Sequence, residues 1–157
     1  MKTLLRVSAG LAAGAGVIFV LGGGWAFIFT YQNVAQENIV TPDDASIPNA
    51  PVRGPFTLKS QADVIREHTL KITGGKTYAE MPRQVAQVDE EGEPVLDAMG
   101  EPIMVPNEAR NIWVTATTLM TTLHLGIVTY LFSGLLILFG FISVWTGFVF
   151  NRLAKSK

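Results

Sequence analysis

The sequence predicts an integral membrane protein of mainly α class, with two transmembrane helices joined by a small extracytoplasmic α+β loop domain. Of 157 residues, 48% are hydrophobic and only 16% are charged, which is too apolar for an ordinary soluble domain of this size. The apolar excess lies in two blocks, 7–36 and 111–151, and neither block contains Asp, Glu, Lys or Arg. Charge is also separated along the chain, and this separation predicts the topology.

All 13 acidic residues lie between Glu37 and Glu108, whereas both chain ends carry only positive charge. Positive charge next to short termini keeps them cytoplasmic, and long loops are translocated largely regardless of their charge. We therefore expect a multi-pass protein of the cell (plasma) membrane with residues 1–6 and 151–157 in the cytoplasm. The acidic loop domain, 32–106, is expected outside the membrane.

The first transmembrane helix is predicted over 7–31, a stretch long enough to cross a bilayer with some tilt. Trp25 and Tyr31 are candidate membrane-interface anchors at its outer end. A cleaved signal peptide is the alternative, because Lys2 and Arg6 form a positive N-terminal region. The apolar run exceeds a usual signal-peptide core, so a retained anchor is favoured.

A proline-rich linker is predicted between residues 38 and 55. Its four prolines forbid a regular helix and favour an extended, polyproline-like chain: Pro42, Pro48, Pro51 and Pro55. Such a segment either crosses the surface of a partner or serves as a solvated tether, and the residues leave both interpretations open.

A helix is predicted over 60–72, with Ser60 as its N-cap and Gly74-Gly75 as its stop signal. The sequence of segment 73–77, TGGKT, resembles the end of a phosphate-binding loop. Leu70 occupies the position where that loop needs a further glycine, and a helix rather than a strand precedes it. A glycine cap is therefore the favoured interpretation.

A short internal repeat covers residues 89–104, where DEEGEPVL is followed by DAMGEPIM. In each copy an Asp precedes a Gly by three positions, which predicts successive turns between short strands. The carboxylates of this segment also raise the possibility of a calcium site. Their spacing lacks the alternation of an EF-hand loop, so the sequence predicts solvated turns and no metal.

The last apolar block would extend about 60 Å as a helix, roughly twice the thickness of the hydrocarbon layer. A hairpin of two spans is one interpretation, but the middle of the block, 125–134, offers no Pro, Asn or Asp for a turn. We therefore predict one long helix over 107–150, N-capped by Asn107. Its threonine-rich first half is expected outside the bilayer and its lipid-embedded part at about 126–148. Trp113 and Trp145 are candidate interface anchors.

Small residues recur at intervals of seven in this last helix: Gly126, Ser133, Gly140 and Gly147. They form one stripe that permits close approach of another helix. The first helix offers a counterpart in Gly10 and Gly14, together with Ala13, Gly16 and the run 22–24. Either the two stripes pack on each other, or at least one contacts a foreign subunit; the second interpretation is favoured because two helices enclose little core.

Residues that carry chemistry are scarce. Cysteine is absent and there are two histidines, His68 in the loop helix and His124 in the long helix. A histidine at membrane depth suggests a haem ligand, a quinone contact or a proton relay. Near the headgroups an interfacial role for His124 is favoured. The sequence predicts no catalytic residue, cofactor or metal, and hence no enzyme.

Three segments between the two spans carry a resemblance: Val52–Phe56 (VRGPF), Gln61–His68 (QADVIREH) and Thr73–Glu80 (TGGKTYAE). They resemble a family of small two-span actinobacterial membrane proteins that is often labelled aromatic ring-opening dioxygenase. That label conflicts with the residues, because non-haem iron requires a set such as two histidines and a carboxylate around open positions.

The architecture is also similar to the accessory subunits of the actinobacterial respiratory supercomplex, in which a menaquinol:cytochrome c reductase (bcc) joins an aa3-type oxidase. This resemblance implies a non-catalytic accessory subunit without cofactors, whose partners are subunits of respiratory complexes III and IV and lipids, not nucleic acid. The alternative is a stand-alone envelope protein or sensor with a cation- or ligand-binding outer loop.

Overall fold

The computed structural model describes residues 1–155 and is mainly helical, with one small strand pair. Three helices and a short 3-10 helix, Tyr78–Glu80, form the scaffold: α1 (Lys2–Gln36), α2 (Pro55–Ile72) and α3 (Glu108–Lys155). Strands β1 (Gln84–Ala86) and β2 (Met104–Pro106) pair antiparallel, with Val85 opposite Val105. The predicted mainly α class with a small strand component is confirmed.

Helices α1 and α3 are long and apolar enough to cross a membrane. They pack antiparallel, because Gly147 of α3 contacts Ala13 near the start of α1 whereas Ser133 contacts Gly23 further along. The two chain ends therefore lie together at one end of the helix pair, and the acidic segment lies at the other. The second apolar block is one uninterrupted helix of 48 residues, as predicted, and not a hairpin of two spans.

The linker after α1 is neither an extended tether nor a polyproline segment, and that prediction is wrong. It folds into a compact hook closed by a β-bridge between Val40 and Pro51. Buried Thr41 holds the turn, since the Ala50 backbone N–H donates to its hydroxyl at 2.9 Å. Asn49 has φ = 52°, a left-handed conformation that Asn tolerates better than most residues. Side-chain capping of the turn explains why four prolines do not keep the chain extended.

Helix α2 begins five residues before the predicted N-cap. Gly54 is the N-cap and Pro55 occupies the first turn, where its missing N–H costs no hydrogen bond. Ser60 is buried inside the helix instead, and its hydroxyl accepts the backbone N–H of Ile47 at 2.9 Å. The predicted C-terminus holds: Gly75, at φ = 80°, donates its N–H to the Leu70 carbonyl at 2.7 Å. The TGGKT segment is thus a glycine cap.

The internal repeat forms two successive turns, as its sequence predicts. In the first, the Asp89 carboxylate accepts the N–H of Glu93 at 2.8 Å, and in the second the Asp97 carboxylate accepts the N–H of Met99 at 2.8 Å. Each turn closes on a β-bridge, Val88 to Pro94 and Leu96 to Pro102. The two copies of the repeat are therefore two copies of one turn.

The first half of α3 packs against α2 and the segments around it. One buried cluster consists of residues from the linker, α2 and α3: Val52, Leu58, Ala62, Leu123 and Tyr130. A second cluster, Met81, Trp113 and Ala116, lies nearer the start of α3. Asn107 begins that helix as predicted, accepting the Ala109 N–H at 3.1 Å and donating to the Pro82 carbonyl at 3.0 Å. We call this assembly of linker, α2, turns and outer α3 the outer unit.

Candidate functional site: a small-residue seam and the faces around it

The contact between α1 and α3 is made by small residues spaced seven apart on both helices. On α1 the buried positions are Ala9, Gly16, Gly23 and Thr30. On α3 the corresponding positions are Ser133, Gly140, Gly147 and Ala154. A seven-residue period keeps one narrow face of each helix on its neighbour through a left-handed crossing. We call this contact the seam.

None of the four glycines of the seam has room for a side chain: Gly16, Gly23, Gly140 and Gly147. A methyl group on Gly16 would lie 2.6 Å from the carbonyl oxygen of Gly140, and one on Gly23 would lie 2.8 Å from that of Ser133. A methyl group on Gly147 would lie 2.8 Å from the Ala9 carbonyl oxygen. The obstacles are backbone atoms, which cannot rotate away. The two backbones are therefore in direct contact, as in glycine-mediated membrane helix pairs.

The polar side chains within the seam are satisfied by their own helices. Ser133, fully buried, donates its hydroxyl to the Thr129 carbonyl at 2.8 Å, and Thr30 donates to the Ala26 carbonyl at 2.8 Å. Such back-bonding keeps a hydroxyl paired where water is excluded. The seam therefore packs two helices without exposing a reactive or proton-carrying group.

Tyr130 closes the outer end of the seam, and it was not among the predicted site residues. Its hydroxyl donates to the Arg53 carbonyl in the linker at 2.6 Å, and its ring packs edge-on against Phe27 of α1 at 4.9 Å. The side chain is 4% exposed. One residue thus joins α1, α3 and the outer unit. The period of seven through Ala116, Leu123 and Tyr130 is the sequence signal that identifies it.

The predicted small-residue positions divide between two environments. Ser133, Gly140 and Gly147 lie in the seam, and a methyl group on Gly126 would lie 3.2 Å from Leu58 of α2. The α3 stripe is therefore occupied within the chain.

The predicted small residues of α1 also divide between two environments. Gly10 and Gly14 are exposed, with no atom within 4 Å of an added methyl group, and Ala9, Gly16 and Gly23 contact α3 in their place. Gly10 and Gly14 remain predicted positions for a foreign helix.

The predicted interface aromatics lie on the outer surface of the helix pair. Trp25 and Trp145 are 68% and 66% exposed, and Tyr31 is 41% exposed with its hydroxyl 3.3 Å from the Arg53 guanidinium. The helix register places Trp145 level with the α1 residues near Gly14, so Trp145 and Tyr31 are separated by about 25 Å along the axis. That separation suits the two faces of one hydrocarbon layer.

Trp113 is not a membrane-interface residue, so that prediction is wrong. It is 3% exposed and packs with Met81 and Ala116 in the outer unit, with the Arg66 guanidinium 5.9 Å from its ring. A tryptophan near the end of an apolar block resembles an anchor in sequence. Here residues from the segments between α1 and α3 cover it.

The two histidines lie on different helices. His68 Nε2 lies 2.7 Å from the Asp44 carboxylate, and this hydrogen bond lowers the pKa of Asp44 below its ordinary value. The pair joins the hooked linker to α2. His124 lies on the exposed surface of α3, close to the end of its predicted lipid-embedded part. The fold therefore does not assemble a two-histidine metal site from them.

Two carboxylates of the acidic repeat, Asp89 and Asp97, accept backbone N–H groups of their own turns. Hydrogen bonds from the N–H groups of Glu101 and Met99 lower the pKa of Asp97. Within residues 1–155, no group of three or more His, Asp or Glu side chains is arranged to hold a metal ion. The cation-binding loop of the alternative hypothesis gains no support from this arrangement.

The chain matches no family model, no curated protein and no solved structure. The resemblance to two-span actinobacterial proteins therefore stays a prediction. Three features of the molecule bear on its function: a closed seam, exposed apolar faces, and an outer unit fixed to the seam by Tyr130.

Proposed function

We propose that this chain is a non-catalytic accessory subunit of a membrane protein complex, and specifically of the actinobacterial supercomplex of menaquinol:cytochrome c reductase and cytochrome aa3 oxidase. The observation that carries the proposal is the division of surfaces in the helix pair. In the seam, the small residues of α1 and α3 are already packed against each other. On the opposite faces of the two helices, large apolar side chains and glycines are exposed.

The outward face of α1 supports a helical partner. Gly10, Gly14 and Gly24 have free space around them, and Leu21 is 68% exposed between them along the same side. Small residues alternating with large ones permit a second helix to approach a first one closely, which is the main route to association in lipid. This face is therefore the proposed contact for another integral membrane subunit.

The charge distribution supports a plasma-membrane topology with both termini in the cytoplasm. Lys2 and Arg6 lie at the same end of the antiparallel pair as Arg152 and Lys155, and the acidic outer unit lies at the opposite end. Basic flanks on the cytoplasmic side follow the positive-inside rule. The outer unit would then face the extracytoplasmic side, within reach of the outer domains of a partner.

The outer unit supports a structural role because it is fixed to the helix pair. Tyr130 hydrogen-bonds the linker, and Leu58 of α2 contacts Gly126 at the outer end of the membrane-length segment of α3. A partner that binds the outer face of α1 therefore meets an outer unit in a fixed position. Such a rigid element suits a subunit that bridges or shields larger proteins.

The respiratory assignment is the finer part of the proposal, and it is supported by the similarity of the architecture, two apolar helices joined by an acidic unit, to the accessory subunits of that supercomplex. The polar groups described above contribute to packing and turns. A chain of this kind would bind the catalytic subunits through its spans and outer unit while the cofactors reside in those subunits.

Co-purification in mild detergent tests the proposal. The tagged chain is expected to recover haem-containing subunits, recognised by the absorbance of reduced b-, c- and a-type haems in the eluate. Recovery of the chain alone as a monomer would contradict a role as a subunit. Recovery of membrane proteins that carry no haem would retain the accessory role and reject the respiratory assignment.

Variants of α1 test whether its outward face is the contact with the partner. Gly10→Leu with Gly14→Leu is expected to reduce co-purification about tenfold or more, because bulky side chains separate two closely packed helices. The control is Gly22→Leu, which is also exposed but lies roughly 100° around the helix axis from their midpoint. An equal loss in both variants would reject the outward face of α1 as the specific contact.

A further inference from the structure

A pocket of about 490 Å³ lies where the end of α1, the middle of α2 and the outer half of α3 meet. Its wall is apolar and includes Val34, Ile39, Leu58 and Leu123. Its polar lining is limited to Asn33, Glu37, Gln61 and Thr122. A concave, largely apolar site of this size with a few polar groups has the form of a small-ligand site.

The depth of the pocket matches the outer surface of the proposed membrane. Asn33 and Glu37 follow the anchor Tyr31 by less than two helical turns, and Thr122 precedes the lipid-embedded part of α3 by about one turn. Under the proposed membrane placement, on which this inference rests, the pocket opens at the level of the lipid headgroups.

The polar groups of the pocket present hydrogen-bond acceptors. Gln61 Oε1 is buried and, within residues 1–155, has no hydrogen-bond partner. Asn33 already donates its amide to the Phe29 carbonyl at 2.8 Å, and Thr122 donates its hydroxyl to the Thr118 carbonyl at 3.0 Å. A buried acceptor without a partner is costly and calls for a donor from outside the chain.

The charge of the pocket restricts the donor further. Glu37 contributes a carboxylate, and no Lys or Arg belongs to the lining. An anionic headgroup would meet only the negative charge there, whereas an ammonium group forms charge-assisted hydrogen bonds with a carboxylate. An ammonium also has three N–H donors, which suits a carboxylate and an amide oxygen in one site.

We propose that this pocket binds a phospholipid with a primary ammonium headgroup, of the phosphatidylethanolamine type. The ammonium donates to Glu37 and to Gln61 Oε1, and the glycerol and upper acyl chain pack against Leu58 and Leu123. The lipid would fill the angle between α1, α2 and α3 at the membrane surface. It would couple the outer unit to the bilayer in addition to the contact made by Tyr130.

Native mass spectrometry of the full chain in mild detergent tests this site by titration with phosphatidylethanolamine or phosphatidylglycerol. We expect the ammonium lipid to bind at about tenfold lower concentration, because charge-assisted hydrogen bonds exceed neutral ones. Glu37→Gln and Gln61→Leu should each remove this preference. Glu93→Gln, an exposed carboxylate in the repeat turn, is the matched control and should retain it.

Equal binding of the two lipids by the unmodified chain would overturn the proposal, as would an unchanged preference in Glu37→Gln. Glu37 is exposed, so this variant remains informative even where Gln61→Leu fails to fold. The co-purified complex provides a further check on the occupant. If Glu37→Gln causes a protein subunit to be lost from the complex while the bound lipid is retained, the occupant of the pocket is a protein, and the lipid proposal is rejected. Alkaline carbonate extraction separates the two proposals: release of the chain from membranes rejects the membrane placement itself, whereas retention without an ammonium-lipid preference rejects only this site.

Discussion

The seam and the outer unit are held together by different physical means. In the seam, glycine, alanine, serine and threonine bring two backbones into contact. In the outer unit, large side chains such as Leu58 and Trp113 are buried and turns are closed by side-chain hydrogen bonds. In lipid there is no hydrophobic driving force between helices, so close packing is the main attraction. In water, the burial of large apolar side chains stabilises the folded state. The buried residues of α3 are therefore mostly large in the half proposed to lie in water and mostly small in the half proposed to lie in lipid.

The largest effect is expected where the seam is broken. Gly140→Leu would force a side chain against the Gly16 carbonyl oxygen and the backbone of Val20. We expect a loss of more than about 3 kcal/mol in the free energy of unfolding, beyond ordinary overpacking, because the obstacles are backbone atoms. SDS titration of the purified chain in detergent micelles measures this loss.

The control for the seam is Gly134→Leu on the same helix. Gly134 has no atom within 4 Å of an added methyl group, so its replacement should change the free energy of unfolding by less than about 0.5 kcal/mol. A similar loss in both variants would indicate that leucine disturbs α3 in general, and it would contradict the close contact at Gly140.

A second variant breaks the outer unit and should spare the seam. Leu58 is 1% exposed, and Leu58→Ala should cost about 3 kcal/mol through lost burial and a residual cavity. Phe56, two residues away in the same helix and 80% exposed, supplies the control Phe56→Ala with little expected effect. Limited proteolysis reports the result: cleavage of α2 should accelerate in Leu58→Ala only, and accelerated cleavage within α1 would refute the separation of the two regions.

A third variant weakens the connection between the two regions. Tyr130→Phe removes the hydroxyl that donates to the Arg53 carbonyl and keeps the ring on Phe27. The expected loss is about 1 kcal/mol in the free energy of unfolding, the usual contribution of one hydrogen bond. Hydrogen exchange should accelerate at the linker amides near Val52. Tyr31→Phe, which removes only a longer, exposed contact of 3.3 Å with the Arg53 guanidinium, is the comparison. Acceleration in that variant alone would show that Tyr31, and not Tyr130, connects the two regions.

The smallest expected effect is an acid dependence of the linker hook. The hydrogen bond with His68 lowers the pKa of Asp44 in the folded state, so the unfolded chain takes up the proton first. The contribution is therefore present above the ordinary Asp pKa of 3.8 and is lost as the pH falls through the folded-state pKa. Asp44→Asn should flatten this part of the stability profile and Asp43→Asn should not. Identical profiles for all three chains would show that the contact contributes nothing.

The presence of two long apolar helices, α1 and α3, and the turns of the repeat follow from local sequence features, so they could be predicted. Uncharged apolar runs determine long helices, and an Asp three residues before a Gly determines a turn within its own segment. The α3 stripe was also visible, since few small residues compete for its seven-residue spacing.

Two features could not be predicted from local patterns: which residues of α1 face α3, and the shape of the linker. Both depend on contacts with residues that are distant in the sequence. Helix α1 has small residues on several faces, so its sequence does not show which face packs on α3. In the structure that face contains Gly16 and not Gly10. The hook depends on burial of Thr41 and Val52 against the outer unit. A usable signal did exist for the start of α2, since Gly54-Pro55 is a good helix beginning, but Ser60 competed with it as a cap.

The small residues of α3 pack on α1 of the same chain, which leaves the outer face of α1 for a proposed partner. Isotope-filtered NMR of the chain in detergent micelles tests it most directly, because a methyl group on Gly140 would lie only 2.6 Å from Val20 Cγ2. We expect a strong nuclear Overhauser effect between the Gly140 α-protons and the Val20 methyl group within one labelled chain. An effect seen only between labelled and unlabelled chains, or contacts of Gly140 with detergent, would contradict it.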